Sequence, residues 1–209
     1  MDARIIAAYC GLIISGFLLG GVMFSRLLPL MIKKRDVSDV SDDGNPGSVN
    51  VFVNFGVPLG IVCCLLDILK GFLPVFVAIK RLPIENFLFS LVMFAPVAGH
   101  AVGVFNGFRG GKCIATAFGV AIATLFISPV GFILAGTYIV TAIVFAKNHT
   151  VASLVTFSVF FVAALAVSII IGQPFTGIGF AMISAAAIVK HLPRFAAKPA
   201  EKTIESDAA

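Results

Sequence analysis

Charge is what this sequence has least of. Asp, Glu, Lys and Arg together make up 12% of the 209 residues, roughly half the share carried by a soluble domain. Hydrophobic residues make up 59%, and the mean hydropathy is +1.08. A globule this small has too much surface for its volume to hide so much apolar side chain. A water-soluble fold is therefore excluded, and nucleic-acid binding is excluded as an explanation of the net charge of +5. Cysteine is scarce too. Cys10, Cys63, Cys64 and Cys113 show neither zinc-site spacing nor a disulfide framework, and read as small apolar packing residues. The first apolar run has no small-x-small cleavage site, so it reads as a span and not as a signal peptide. No internal repeat and no Ser-His-Asp arrangement is visible, and no metal or cofactor is implied.

What the chain does have is long apolar runs, and a spanning helix needs ~20 mostly apolar residues. Gly, Pro and charge clusters cut the sequence into seven such pieces, near 4–25, 51–79, 86–105, 113–127, 129–146, 151–171 and 174–190. The second is too long for one straight crossing and carries Pro58, Gly71 and Pro74, which suggest bends; the fourth is short. The expected fold is an all-α, polytopic membrane helix bundle of about seven transmembrane helices. It forms one domain over 1–195, followed by a polar, disordered tail over 196–209. With seven crossings, one face collects most of the 15 Lys and Arg residues: Arg26, Lys33, Lys34, Arg35, Arg109, Lys112, Lys147, Lys190, Arg194, Lys198 and Lys202. The positive-inside rule puts that face and the C-terminus in the cytoplasm and the N-terminus outside.

Three polar segments fall on the same face. The first is Asp43-Gly44-Asn45-Pro46-Gly47-Ser48-Val49-Asn50. Gly44 and Gly47 permit turns whose successive N–H groups make an anion-binding concavity, and Asn50 stands at a helix start, where the dipole also suits a phosphate. The second is Gly99-His100, then Phe108-Arg109-Gly110-Gly111-Lys112. Arg109 can fork two phosphate oxygens, Lys112 supplies a point charge, and the Gly110-Gly111 pair permits close backbone approach. A plain basic anchor would need no glycines between its cations. The third comprises Lys147-Asn148-His149-Thr150 with Ser153, and Lys190-His191-Leu192-Pro193-Arg194. Within the second span, Asp67 and Lys70 are three apart on one helix face, the spacing of a structural ion pair.

Taken in order, these segments resemble the acyl-phosphate-dependent glycerol-3-phosphate acyltransferases of bacterial membranes, the PlsY family. That family's Gly-Ser-Gly-Asn-Pro-Gly-Ala-Thr-Asn loop is matched by Asp43 to Asn50, and its Leu-Leu-Asp-Val-Leu-Lys-Gly by Leu65 to Gly71. Its Gly-His, Pro-Val-Phe and Phe-Lys-Gly-Gly-Lys-Gly run is matched by Gly99-His100, Gly103-Val104-Phe105 and Phe108 to Cys113. Thr150 to Ser153 resembles its Ser-Leu-Ala-Ser. The pattern departs at three places: the first loop's serine is Asp43 here, an arginine is Val53, and the asparagine of a His-x-x-Asn-Ile motif is Arg194.

The resemblance implies a membrane acyltransferase that moves a fatty acyl group from acyl phosphate to glycerol-3-phosphate, making lysophosphatidate for phospholipid synthesis at the bacterial inner membrane. Its expected partners are those two substrates and the lipid bilayer. His100 and Lys112 are the catalytic candidates. Gly44, Asn45, Gly47, Ser48, Asn50, Arg109, Gly110, Gly111, Thr150, Ser153, His191 and Arg194 are the candidates for substrate and phosphate binding. His100 could take the acceptor's proton, or the substrate phosphate could take it. Two other readings stand beside this one. The three departures allow a catalytically degenerate relative with a binding or regulatory role, and Asp67 and Lys70 on a bent span allow a small transporter.

Overall fold

A computed structural model of the chain describes residues 2–196, with side chains described through Leu192. Every element among the described residues is helical. In chain order they are α1 (Ala3–Gly21), α2 (Phe24–Lys33), α3 (Val37–Val40), α4 (Ser48–Phe55), α5 (Val57–Arg81), α6 (Phe87–Val102), α7 (Ile114–Thr124), α8 (Val130–Val144), α9 (His149–Ile170) and α10 (Pro174–Ala196). A single 3₁₀ turn, Val104–Asn106, follows α6. The expected tail over 196–209 lies, beyond Ala196, outside the described residues.

Five helical segments are long and apolar enough to cross a membrane: Ala3–Gly21, Val57–Arg81, Phe87–Asn106, His149–Ile170 and Pro174–Leu192. The two other apolar helices, α7 and α8, have 11 and 15 residues. At ~1.5 Å per residue each falls short of a ~30 Å hydrocarbon core. Large apolar side chains such as Leu65, Val162 and Ile170 face outward. In water such a surface would aggregate, whereas against lipid it is the expected exterior.

Local sequence explains where the helices begin and end. Asp2, Asn86 and Asn148 cap α1, α6 and α9 by accepting hydrogen bonds from the backbone N–H groups of Arg4, Leu88 and Val151. The single long span expected near 51–79 is two helices. Gly56, at φ +91°, breaks the chain between α4 and α5 in a conformation that only glycine adopts readily. The bend falls at Gly56 and Pro58, which stands in the first turn of α5, and not at Gly71 or Pro74, over which α5 continues. The first span likewise ends early, at Gly21, and the chain restarts as α2.

The helices pack as a ring: α1 on α6, α6 on α10, α10 on α9, α9 on α8, α8 on α7, α7 on α5, and α5 back on α1. Small residues let backbones touch, as membrane helix packing favours. A Cβ on Gly99 would run into the Phe17 carbonyl on α1, and one on Gly119 would run into the Ile68 carbonyl on α5. One main core, including Tyr9, Phe89, Met93, Phe157, Phe160 and Phe180, fills the bundle.

The break between α1 and α2 is held by two buried charges. Lys70 Nζ lies 2.8 Å from Asp67 Oδ1 and donates to the Val22 carbonyl at 2.6 Å. Ser25 donates to Asp67 Oδ2 at 2.8 Å. Val22 caps the end of α1, so the ammonium satisfies a carbonyl that a helix end leaves unpaired. Both side chains are almost fully buried, and each has the partner a charge needs at that depth.

Candidate functional site

One end of the ring holds a cavity of about 320 Å³. Its wall is built from helix ends. Gly47 to Asn50 begin α4, Lys112 to Ala115 lead into α7, and His149 and Ser153 occupy the first turns of α9. His100 and His191 reach it from near the C-terminal ends of α6 and α10, and Asp67 and Tyr138 line it from α5 and α8. Three helix N-termini thus open on one space. Each carries unpaired N–H groups and the positive end of its dipole, so their sum favours an anion.

The loops are fixed to one another by polar contacts. Lys112 Nζ lies 3.1 Å from Asp43 Oδ2. Asp43 Oδ1 accepts the Asn45 backbone N–H at 3.0 Å and the Asn50 amide at 2.7 Å, and that amide also donates to the Asn45 carbonyl at 2.8 Å. Burial pushes the Asp43 carboxyl up. The hydrogen bonds from Asn45 and Asn50 and the ammonium of Lys112 outweigh it and hold the carboxyl below its ordinary value. Gly44, at φ +60°, lets the chain turn sharply enough for Asn45 to reach back to Asp43.

The Gly110-Gly111 pair has a structural cause. A Cβ on Gly110 would collide with the Ala101 and His100 carbonyls, and one on Gly111 would collide with the His100 ring. The Gly111 N–H donates to the His100 carbonyl at 3.0 Å. The glycines therefore press the loop onto the end of α6, and this contact sets where the next residue, Lys112, projects. His100 is 4% exposed, and its Nδ1 is buried without a hydrogen-bond partner.

The cavity gathers Asn45, Gly47, Ser48, Asn50, His100, Lys112, Ser153 and His191 from the residues singled out in the sequence. Gly44, Gly110 and Gly111 do not line it; Gly110 and Gly111 pack on the end of α6 against His100, and Gly44 turns the loop that carries Asp43 and Asn45. Arg109 and Thr150 do not line it. Arg109 is exposed, because Gly107 and Phe108 both turn left-handed and carry it off the surface of the bundle. The Asn106 amide then fastens the loop by donating to the Arg109 carbonyl at 2.6 Å. The guanidinium in contact with this loop is that of Arg26, which donates to the Asn106 side chain and lies 2.6 Å from Asp36. Thr150 sits one position around α9 from the face that His149 and Ser153 share. The side chain of Arg194 lies outside the described residues. His149 and Tyr138 were not singled out as site residues, although the i, i+4 spacing of His149 and Ser153 was available to find the first. Among the described residues, no group of three or more His, Cys, Asp or Glu is placed to hold a metal ion.

A family model described as Glycerol-3-phosphate acyltransferase matches residues 10–197. The chain belongs to the glycerol-3-phosphate acyltransferase family. Among the family's proteins, one from Thermotoga petrophila is 34% identical over 170 residues, covering 81% of this chain and 80% of its own. Glycerol-3-phosphate acyltransferase 2 of Thermotoga maritima is 33% identical over 178 residues, covering 85% of this chain and 86% of its own. The crystal structure of PlsY, an integral membrane glycerol 3-phosphate acyltransferase, in its glycerol 3-phosphate form superposes with a TM-score of 0.74 at 30% identity over 90% of each chain. Its lysophosphatidic acid form superposes with a TM-score of 0.72 at 29% identity. The matched region, residues 10–197, contains every residue of the cavity wall, from Asp43 to His191.

Proposed function

We propose that this protein is a membrane acyltransferase transferring a fatty acyl group from acyl phosphate to glycerol-3-phosphate, with the cavity at the helix ends as its active site. The observation that carries the reading is the convergence of three helix N-termini and the Lys112 ammonium on one space. Both proposed substrates bear phosphate, and here the N–H donors of three helix ends face the Lys112 ammonium, while the two carboxylates in the lining, Asp43 and Asp67, are each paired with a lysine.

In the reaction, the acceptor hydroxyl attacks the carbonyl carbon of the acyl phosphate. The new ester C–O bond forms, the C–O bond to phosphate breaks, and the hydroxyl proton ends on the released phosphate. An acyl phosphate is already activated, so no protein nucleophile is needed. Negative charge builds on the carbonyl oxygen and the leaving phosphate; each well-placed donor there is worth about 3 kcal/mol. Lys112 and the N–H groups opening α4 and α7 are assigned that role, with Asn45, Ser48, Asn50, Ser153 and His191 holding the phosphates. His100 is the buried group assigned to carry the proton from hydroxyl to phosphate, since its Nδ1 has no protein partner.

The proposed topology treats α7 and α8 as two short spans that, with the five long helices, make seven crossings. The N-terminus is then outside, and the cavity and C-terminus are on the cytoplasmic side of the bacterial inner membrane. The basic residues at the cavity end support that orientation. The whole bundle is read as one domain, in keeping with its single main core. A degenerate, non-catalytic relative is the second reading, and the Asp43 carboxylate on Lys112 is the observation in its favour.

The test is direct. Purified protein in liposomes, given acyl phosphate and labelled glycerol-3-phosphate, should produce labelled lysophosphatidate and inorganic phosphate in equal amounts. Absence of both products from folded protein would rule the reading out.

A further inference from the structure

Three donors in the cavity converge on one acceptor, and that acceptor belongs to the protein. Lys112 Nζ is 3.1 Å from Asp43 Oδ2. The Asn45 N–H and the Asn50 amide reach Asp43 Oδ1 at 3.0 and 2.7 Å. An ammonium, a turn N–H and an amide, arranged around two oxygens of one anion, form the donor set that would hold two oxygens of a phosphate. We infer that the Asp43 carboxylate is a built-in occupant of the acceptor-phosphate subsite, so that a phosphate monoester binds by displacing Asp43 from Lys112 and Asn50. Naming the monoester as the acyl acceptor rests on the proposed function; the competition itself is a property of the cavity.

The physics is that of two anions and one cradle. A carboxylate and a phosphate cannot share one ammonium without close like-charge repulsion. Each bound phosphate must therefore give up part of its attraction to break the internal pair. The Asp43 side chain is about a third exposed, so once displaced it can be solvated without crossing the core. An uncharged polyol has no such contest with Asp43. The residue thus sets how strongly the site selects for, and holds, a phosphorylated acceptor.

The experiment titrates inorganic phosphate, glycerol-3-phosphate and glycerol into detergent-purified wild type, Asp43→Asn and Asp43→Ser by calorimetry. Asparagine keeps the oxygen that accepts from Asn45 and Asn50 while removing the charge, so the turn persists. Both phosphates should bind about tenfold tighter to Asp43→Asn, a factor that corresponds to ~1.4 kcal/mol, and glycerol should bind no better. Equal or weaker phosphate binding in both variants would overturn the inference. A measurement on the unaltered protein guards against misfolded variants. Carbodiimide labelling of Asp43, read by mass spectrometry, should rise when phosphate is added; unchanged or falling labelling would also overturn it. Tighter phosphate binding in a protein that shows no acyl transfer would uphold the competition while refuting the proposed function. Active acyl transfer with phosphate affinity unchanged by Asp43→Asn would refute the competition alone.

Discussion

Replacing Gly111 by alanine puts a methyl group into the space of the His100 ring. His100 is 4% exposed and its ring borders the cavity, so the clash is relieved either by the ring moving into the site or by the loop lifting away from it, and both disturb the place of Lys112. Overpacking of this kind costs ~1–3 kcal/mol. The loop's hydrogen bond from the Gly111 N–H to the His100 carbonyl is strained along with it. Lys112 is the next residue, and a displacement of ~1 Å at a reacting centre can cost about 10²-fold in rate. Gly111→Ala should therefore lower the thermal midpoint in detergent by a few degrees while reducing acyl transfer by about two orders of magnitude. The control is Gly136→Ala, where an added Cβ meets nothing within 4 Å inside α8; it should be neutral or stabilise by up to ~1 kcal/mol. Wild-type rate and melting in Gly111→Ala would refute the claim that these glycines place Lys112.

Other outcomes follow from the same contacts. Lys70→Met leaves the Asp67 carboxylate buried without its cation and should cost ~3–5 kcal/mol, read by thermal melting; Lys70→Met combined with Asp67→Leu should recover much of that loss. Arg109→Ala changes an exposed side chain outside the cavity and should shift stability by no more than ~0.5 kcal/mol while leaving most acyl transfer intact; a loss as large as that of a Lys112 variant would contradict the geometry. The Asp43 carboxyl is held below its ordinary value, so its stabilising pairing is present above the unfolded carboxyl pKa of ~3.9 and is lost only as pH falls through the lower folded value. The melting difference between wild type and Asp43→Asn should thus stay constant from pH 8 down to 5 and vanish only in stronger acid. A difference that vanishes near neutral pH would contradict this.

Much of the architecture is visible in hydropathy alone, because lipid demands continuous apolar runs and the runs announce themselves. Boundaries inside those runs were not. Pro58, in the first turn of α5, signalled a bend in that run, but the position of the break between α4 and α5 is fixed by the φ of Gly56. The loops carried their signal in residue type, and the turn chemistry of Gly44, Asn45 and Asn50 could be anticipated. Arg109 could not be told from Lys112 by type, since both are cations beside a glycine pair. What separates them is the left-handed pair Gly107 and Phe108 on one side and the His100 contact on the other, and both depend on where α6 ends. Asp43 stood out as an unexpected carboxylate beside a site for anions. That it folds onto Lys112 could be known only with the loops in place, because the two residues are far apart in the chain.

The account rests on Lys112 acting on phosphate in a cavity shared by separate loops, and one measurement tests it most directly. Wild type and Lys112→Gln, each reconstituted in liposomes and verified as folded, are assayed for transfer of a labelled acyl group from acyl phosphate to glycerol-3-phosphate. The account predicts steady lysophosphatidate formation by wild type and a loss of about 10²-fold or more in the variant, the scale of removing one transition-state donor. Transfer by Lys112→Gln at the wild-type rate would contradict it.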